Sequence, residues 1–345
     1  MNPRATLRDV ASAANVAVST VSGILNQRSD SWASKETRDR VFEAARQLSY
    51  TPNRMARGLR ISRFMHITLV IPDLTNPFYA TLARAIQRAL DIHGFELLVE
   101  ETENDPKKEE RILSDLGGRH TDGVICVLDD PLTHHARLEK LAPRTPVVLF
   151  GPSIPGEKID TIESDFRESY QEIIAHLVSL GHTRAGFVEA LARGSDPISR
   201  LQMFRELSAK THLRFLETSW IRCTPALEDI RVSTRTWAKL IPPSERATAL
   251  FCTNDLTAIC TMRGLLDAGL SVPEDISIIG YDDIPIASLL PCPLTTISQP
   301  LDGMARMASE TLLNRIEGRT KGAISHVSLP TRLVLRNSTT TARQA

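Results

Sequence analysis

From His66 onward the chain alternates short apolar runs with stretches of helical period, and no other feature limits its fold as tightly. The runs read ITLVI (67–71), FELLVE (95–100), GVICVL (123–128), VVLF (147–150), AGFVE (185–189), ALFC (249–252) and ISIIGY (276–281). Between them, helices are predicted over about 75–93, 106–117, 132–141, 168–180, 198–210, 226–240 and 255–268. Strands apolar on both faces, bounded by Gly and Pro and separated by helices, belong to parallel sheets covered on both sides. About 280 residues of this pattern exceed one doubly wound domain, which predicts two lobes. In such sheets ligands bind beyond the carboxyl ends of the strands. That singles out the loops at Pro72-Asp73, Asp129-Asp130, Thr253-Asn254-Asp255 and Tyr281-Asp282-Asp283.

Charge is divided unevenly along the 345 residues. The whole chain balances, 41 basic against 41 acidic, but residues 1–63 hold eleven Lys/Arg and five Asp/Glu, a net of +6, which leaves −6 on the remainder. A basic head on an acidic body predicts that one end alone meets a polyanion. Apolar residues at 42% and charged ones at 24% exclude a disordered, collagenous or coiled-coil chain. The N-terminal MNPRATLRDV has no apolar core of a signal peptide, and no 18-residue apolar run occurs, so a cytoplasmic chain with no membrane partner is expected. The five cysteines are scattered without a Cys-x-x-Cys, which predicts neither a disulfide framework nor a zinc site. Cys126, Cys252 and Cys260 lie in or beside apolar runs and read as buried reduced thiols.

The head itself divides into three helices. Thr6 caps the first, with Asp9 placed for a capping box, and Leu7, Val10, Ala11 and Ala14 form one apolar face. After Asn15-Val16 a second segment, Val18 to Asn26, sets small hydroxyls between Val18, Val21, Ile24 and Leu25. A third helix starts after Ser34 and runs through Val41, Ala44, Ala45 and Leu48. Two short helices joined by a tight turn, with a third across them, describe a helix-turn-helix. Small residues admit the second helix to a major groove, and hydroxyls, helix N-termini and arginines neutralise phosphates.

The string TLRDVASAANVAVSTVSGILN, followed by SKETRDRVFEAARQLSYTPNRMARGL, resembles the DNA-binding head of the LacI/GalR bacterial repressors. The resemblance implies that Val18 and Ser19 face bases and that Thr20, Ser22 and Asn26 approach the backbone of double-stranded operator DNA. It implies further contacts from Thr6, Tyr50, Asn53, Arg54, Ala56 and Arg57. Residues 54–60 would form a hinge helix whose Leu59 wedges into a central base step, which kinks the duplex at the cost of unstacking. An ordinary core leucine is the alternative for Leu59. Gly23 stands where the family usually carries a base-reading Arg or His, and glycine has no side chain to read a base. Arg28, in a loop about two residues longer than usual in the family, is expected to supply part of that contact, against the alternative of a solvated arginine.

The strings PDLTNPFYATLARAIQRAL, LVSLGHTRAGFV, CTNDLTAI, VPEDISIIGYDD and PLTTISQP extend the resemblance through the periplasmic-binding-protein-like core of those repressors. The implied organisation is a head at 1–50, a hinge helix and linker at 51–63, and a two-lobed effector-binding and dimerisation domain at 64–340. Crossings between lobes are expected near 163, 292 and 323. Lobe one would hold about 64–163 and 293–322, and lobe two about 164–292 and 323–340. Asp73, Asn76, Phe78, Asp129, Arg200, Asn254 and Asp282 match effector-contacting positions. An aromatic stacks on a sugar or base, carboxylates accept from hydroxyls, and Arg adds bidentate recognition of an acid group. Asp73, Asn76 and Asn254 also suit helix caps, Asp282 a turn, and Arg200 a surface cation. Ser164-Asp165 replaces the acidic residue and Asn that the family often has, which leaves the effector's identity open.

Catalytic patterns are missing from the sequence. Gly151 and Gly156 in VVLFGPSIPGEK imitate the start of a phosphate-binding loop, but Glu157 stands where its Lys must be. No G-x-S-x-G, H-E-x-x-H or strand-borne G-x-G-x-x-G occurs. His120, His134 and His135 read as solvated, and the run Asp105 to Arg111 reads as a solvated helix start. The sequence thus predicts no enzyme, cofactor or metal, and a homodimeric transcriptional regulator controlled by a small molecule, a sugar or similar metabolite. A solute-binding receptor, which would need an export signal and no basic head, and a sugar-modifying enzyme are the alternatives.

Overall fold

The structure is a computed structural model, and it describes residues 5–25, 33–50, 63–118, 121–128, 131–152, 158–191, 198–320, 322 and 324–343. It divides into two compact units, Met1–Phe64 and Met65–Ala345.

In the first unit, α1 spans Leu7–Ala14, α2 Val18–Leu25 and α3 Lys35–Gln47. Thr6 and Asp9 close the expected capping box: the Thr6 N–H donates to Asp9 Oδ2 at 2.7 Å and the Asp9 N–H to Thr6 Oγ1 at 3.4 Å. Asn15 ends α1 in the left-handed region at φ +51°, which Asn tolerates better than most residues. Val10, Ala11, Ala14, Val21, Ile24, Val41, Ala44 and Ala45 form a core belonging to this unit alone.

The second unit contains two parallel sheets. β1 (His66–Ile71), α4 (Pro77–Asp91), β2 (Glu96–Glu101), α5 (Pro106–Asp115), β3 (Gly123–Val127), α6 (Pro131–Leu141), β4 (Val147–Phe150) and β5 (Asp160–Asp165) build the first lobe. Its sheet runs β11-β5-β4-β3-β1-β2, with β11 at His326–Pro330, and every neighbouring pair is parallel. Along β1, Ile67, Leu69 and Ile71 pack to one side against α4 and α11 (Leu301–Ile316), while Val70 packs to the other with Ile112, Leu138 and Leu149. That two-sided burial explains why these strands read as continuous apolar runs.

The second lobe comprises α7 (Arg167–Ser179), β6 (Arg184–Ala190), α8 (Ile198–Ser208), β7 (Arg214–Cys223), α9 (Leu227–Leu240), β8 (Ala249–Cys252), α10 (Asp255–Asp267) and β9 (Ser277–Ile279). Its sheet order is β7-β6-β8-β9. β10 (Thr296–Ser298) and β12 (Arg332–Val334) form an antiparallel pair, joined to β9 and its following loop by bridges Ile279–Thr295 and Asp282–Ser298. The pairing therefore moves the crossings from about 163, 292 and 323 to just after Asp165, Ser298 and Pro330. β11 stays on the first sheet beside β5, so 326–330 is not part of the second lobe, and 293–298 is not part of the first.

Two surface expectations are corrected. His134 and Glu109 are buried together, Nε2 to Oε1 at 3.0 Å, rather than solvated, and Glu110 lies 3.5 Å from His134 Nδ1. Burial of an ionisable side chain requires such a partner, and α5 and α6 supply one to each other. Cys126 and Cys252 are buried, Cys260 is half-buried, and all five thiols are free.

Gly186 sits where β7 bulges away from β6 between the pairs Ala185–Phe215 and Phe187–Trp220. A methyl group there would lie 2.3 Å from the Ser219 carbonyl oxygen, a backbone atom that cannot step aside alone. Gly186→Ala is expected to destabilise the second lobe by about 1–3 kcal/mol, the usual range for overpacking, seen as a lower midpoint in thermal unfolding followed by circular dichroism. An unchanged midpoint would show that β7 can shift outward freely.

Candidate functional site

On the head, α2 turns Val21 and Ile24 inward and leaves Val18 and Ser19 exposed at its N-terminal turn, with Thr20 and Ser22 half-buried beside them. Gly23 lies on the same helix, also half-buried. Thr6 is exposed, its hydroxyl held by Asp9 Oδ2 at 2.7 Å. Tyr50 packs against the head core, and its N–H donates to the Ala45 carbonyl at 2.8 Å. Asn26, Arg28, Asn53, Arg54, Ala56, Arg57 and Leu59 lie outside the described residues, as does Asp129 in the core.

In the two-lobed unit, the loop after β1 supplies three of the expected residues. Asp73 Oδ1 accepts from the Thr75 N–H at 2.7 Å and hydroxyl at 2.6 Å, which shapes the turn into α4. Asn76 is buried and caps α4 through the Phe78 N–H at 3.1 Å. Phe78 packs against core residues of both lobes, and Tyr79 meets its ring edge-on at 5.1 Å.

Arg200 lies on α8 with its guanidinium over the Tyr281 ring, 4.5 Å from the centroid, and Nη1 donates to the Thr253 carbonyl. It is no surface cation. Burial opposes its charge, but Tyr281, Tyr170, Asp282 and, from the first lobe, Tyr79 more than offset this and hold the guanidinium ionised. Asp282 follows β9 at φ +114°, a region few side chains occupy, and its buried carboxyl accepts from Gln299 Nε2 at 2.7 Å. Burial pushes that carboxyl up to about 8, the neighbouring Asp255 adds to the rise, and Arg200 and Gln299 pull the other way. Asp255 is itself raised to about 7 by burial, with the Thr296 hydroxyl and the Ile284 N–H (2.8 Å) holding its oxygens.

Asn254 caps α10, its Oδ1 accepting from the Thr257 N–H and hydroxyl, both at 2.8 Å. Arg200, Tyr281 and Asp282 are thus drawn to one place, with Tyr79 of the first lobe acting on Arg200 and Phe78 packed against Tyr79, while Asp73, Asn76 and Asn254 shape the loops around them. Tyr79 and Gln299 also belong there without a signal of their own in the sequence, whereas Thr253 and Tyr281 fall in two of the strand-end loops that the sequence singles out. Among the described residues no group of His, Cys, Asp and Glu is arranged to hold a metal, and no helix is long and apolar enough to cross a membrane.

A compact helix-turn-helix unit and a two-lobed α/β unit with polar groups at its strand ends define a ligand-responsive DNA-binding regulator. Residues 6–53 match the lacI family of bacterial regulatory proteins, and 174–339 match the periplasmic binding protein-like domain. The HTH-type transcriptional regulator DegA of Bacillus subtilis (strain 168) is 32% identical over 338 residues, covering 97% of this chain and 98% of that protein. KdgR of the same organism is 30% identical over 96% of this chain and 97% of its own length. Among solved structures, the lac repressor dimer bound to operator and the anti-inducer ONPF aligns with a TM-score of 0.81 at 25% identity, over 97% of this chain and 99% of that one. A LacI family regulator from Enterococcus faecium with bound ribose gives 0.67 at 26%, over 81% and 100%. The chain belongs to the LacI family and is a DNA-binding transcriptional regulator.

Proposed function

We propose that the chain is a homodimeric repressor whose affinity for operator DNA is set by a small hydroxyl-rich metabolite, a sugar or a close relative, held between the two lobes. The supporting observation is that Tyr79, packed edge-on against Phe78 in one lobe, acts on Arg200, which lies over Tyr281 beside Asp282 in the other. A flat apolar face stacks on an aromatic ring, hydroxyls donate to the carboxyl, and the fixed guanidinium accepts an oxygen-rich edge. Because the groups come from both lobes, a ligand that engages all of them favours one arrangement of the lobes over others. That differential affinity is what couples it to the DNA-binding end.

At that end, Val18 and Ser19 would read base edges and Thr20 and Ser22 would contact phosphates, with Thr6 at a helix N-terminus where anions are favoured. The proposal retains Asn26, Arg28, Tyr50, Asn53, Arg54, Ala56 and Arg57 as contacts, Leu59 as the minor-groove wedge, and Asp73, Asn76, Asp129 and Asn254 at the effector. Two heads reading two half-sites require a dimer. The reading assigns no catalysis and a place in the cytoplasm, where operator DNA is. Titration calorimetry of the full chain against a panel of sugars and nucleobases tests it, and a panel that yields only nucleobase binding would overturn the ligand class.

The raised Asp282 carboxyl gives this proposal a sign in pH. A ligand hydroxyl that donates to the ionised carboxyl must displace a proton below about pH 8. Affinity is therefore expected to rise with pH, by up to about tenfold per unit across pH 6–8 for one proton released, and to level off above. Calorimetry at several pH values in buffers of different ionisation heat reads both the affinity and the proton. Affinity that is flat with pH would mean the ligand leaves Asp282 untouched.

A further inference from the structure

We propose that Ser164 and Gln299 form a hydrogen-bonded relay tying the Asp282 carboxyl to the crossings between the lobes, with Ser164 as a positioning residue for the effector response. This rests on the effector reading above and assigns a route for it. Ser164 is the penultimate residue of β5, just before the first crossing. Its hydroxyl donates to Gln299 Oε1, in the second crossing, and Gln299 Nε2 in turn donates to Asp282 Oδ1 at 2.7 Å. The same hydroxyl oxygen lies 3.4 Å from the sulfur of Met304, a buried residue of the first lobe, and interacts with the phenol of Tyr281, whose ring carries Arg200. One half-buried hydroxyl thus touches both lobes, a crossing and the ring beneath the guanidinium.

The orientation of the Gln299 amide gives the relay its direction. Ser164 donates to Oε1 and Nε2 donates to Asp282 Oδ1, so both ends of the amide are engaged in one setting, and a reversed amide would set Nε2 against the Ser164 donor. The third crossing makes a separate connection to the first. The Thr331 N–H and hydroxyl both donate to the Asp165 carbonyl, at 2.8 and 3.0 Å, and Ser169 meets the Thr331 hydroxyl at 2.8 Å. Adjacent residues 164 and 165 therefore bind the two return crossings, and the connection through Ser164 continues to Asp282. A ligand hydroxyl arriving at Asp282 competes for the oxygen that Gln299 holds, so occupancy is felt at the crossings where the lobes pivot.

The test is hydrogen exchange by mass spectrometry on the full-length chain, comparing wild type with Ser164→Ala, Ser164→Thr and Gln299→Leu. The Gly280 and Asp282 amides donate to Thr295 and Ile297 and report on the segment that Gln299 secures. Ser164→Ala and Gln299→Leu are each expected to speed exchange over 280–284 about tenfold, Ser164→Thr to restore it, and the double variant to be no worse than either. The Thr331 amide is expected to stay at the wild-type rate, which a general loosening of packing would not allow. On an operator duplex without ligand, Ser164→Ala is expected to shift affinity at least threefold and Ser164→Thr much less. Unchanged exchange over 280–284, equal acceleration at Thr331, or faster exchange with no shift on operator would each overturn the relay. The exchange measurement uses neither DNA nor small molecule, so failure of the effector reading would show separately, as a wild-type chain that no panel compound affects.

Discussion

A chain reduced to residues 65–345 is expected to keep its two-lobed fold and to lose specific operator binding by roughly a thousandfold or more, the usual margin between specific and non-specific binding. The head owns its core, from Val10 to Ala45, and shares none of those residues with the four clusters of the larger unit. The larger unit's four cores are therefore built from its own residues. The remaining body carries −6 and offers phosphates no attraction. The full chain is expected to show a steep fall of affinity with salt, since its +6 head displaces condensed counterions. Electrophoretic mobility shift at two salt concentrations, with circular dichroism of the truncated chain, checks both halves. Retained specific binding would place DNA recognition in the body.

Arg200→Met should abolish the effector response and leave operator binding without ligand near the wild-type value. Methionine keeps apolar bulk against Tyr281 but removes the charge, the donor to the Thr253 carbonyl and every directional contact to a ligand. Hydrogen bonds involving a charged group contribute about 1.5–3 kcal/mol each, so one such bond to the ligand is worth roughly a 10- to 150-fold loss of affinity, and a bidentate one more. Loss of the guanidinium also removes one of the forces drawing the Asp282 carboxyl downward, which shifts the pH dependence of any residual binding upward. Calorimetry with the compound bound by wild type reads the loss. If Arg200→Met binds that compound as tightly while thermal unfolding stays cooperative, the site has been misplaced.

Much of this fold could be read from the sequence because two-sided burial writes itself as continuous apolar runs. VVLF and ALFC coincide with β4 and β8 residue for residue. Elements buried on one face, or at an edge, were harder to see. β7 is an edge strand whose Arg, Glu, Thr and Trp alternate without an apolar run, and it was absent from the expected series. β10 has three residues, too few to show a period, and β11 alternates exposed and half-buried positions and ends in Pro330. Those short strands decide where the chain crosses between lobes, which is why the sequence sets the second and third crossings about six and seven residues too early.

The site divides in the same way. Asp282 lies in a recognisable string, and the resemblance to the family implies that Arg200 joins it at the effector. Asn76 and Asn254 follow equally recognisable strings, and their side-chain oxygens serve helix N-termini, a role that no local pattern separates from the proposed contact with the effector. Gln299 and Tyr281 matter because of what three-dimensional pairing brings beside them, and sequence spacing carries none of that. Ser164 stands out in the sequence only as a departure from the family pattern, and the contacts that give the departure a meaning come from the fold.

In the proposed mode of action one small molecule, bound between the lobes, sets the affinity of the head for DNA. Fluorescence anisotropy of labelled duplexes from around the chain's own gene, at two salt concentrations and against a panel of sugars and nucleobases, tests it most directly. The expected result is sequence-specific, salt-steep binding that one sugar-like compound shifts by roughly 5- to 150-fold, the usual span of coupling between two sites. Tight binding of a compound with no effect on operator affinity, or no specific DNA binding at all, would contradict it.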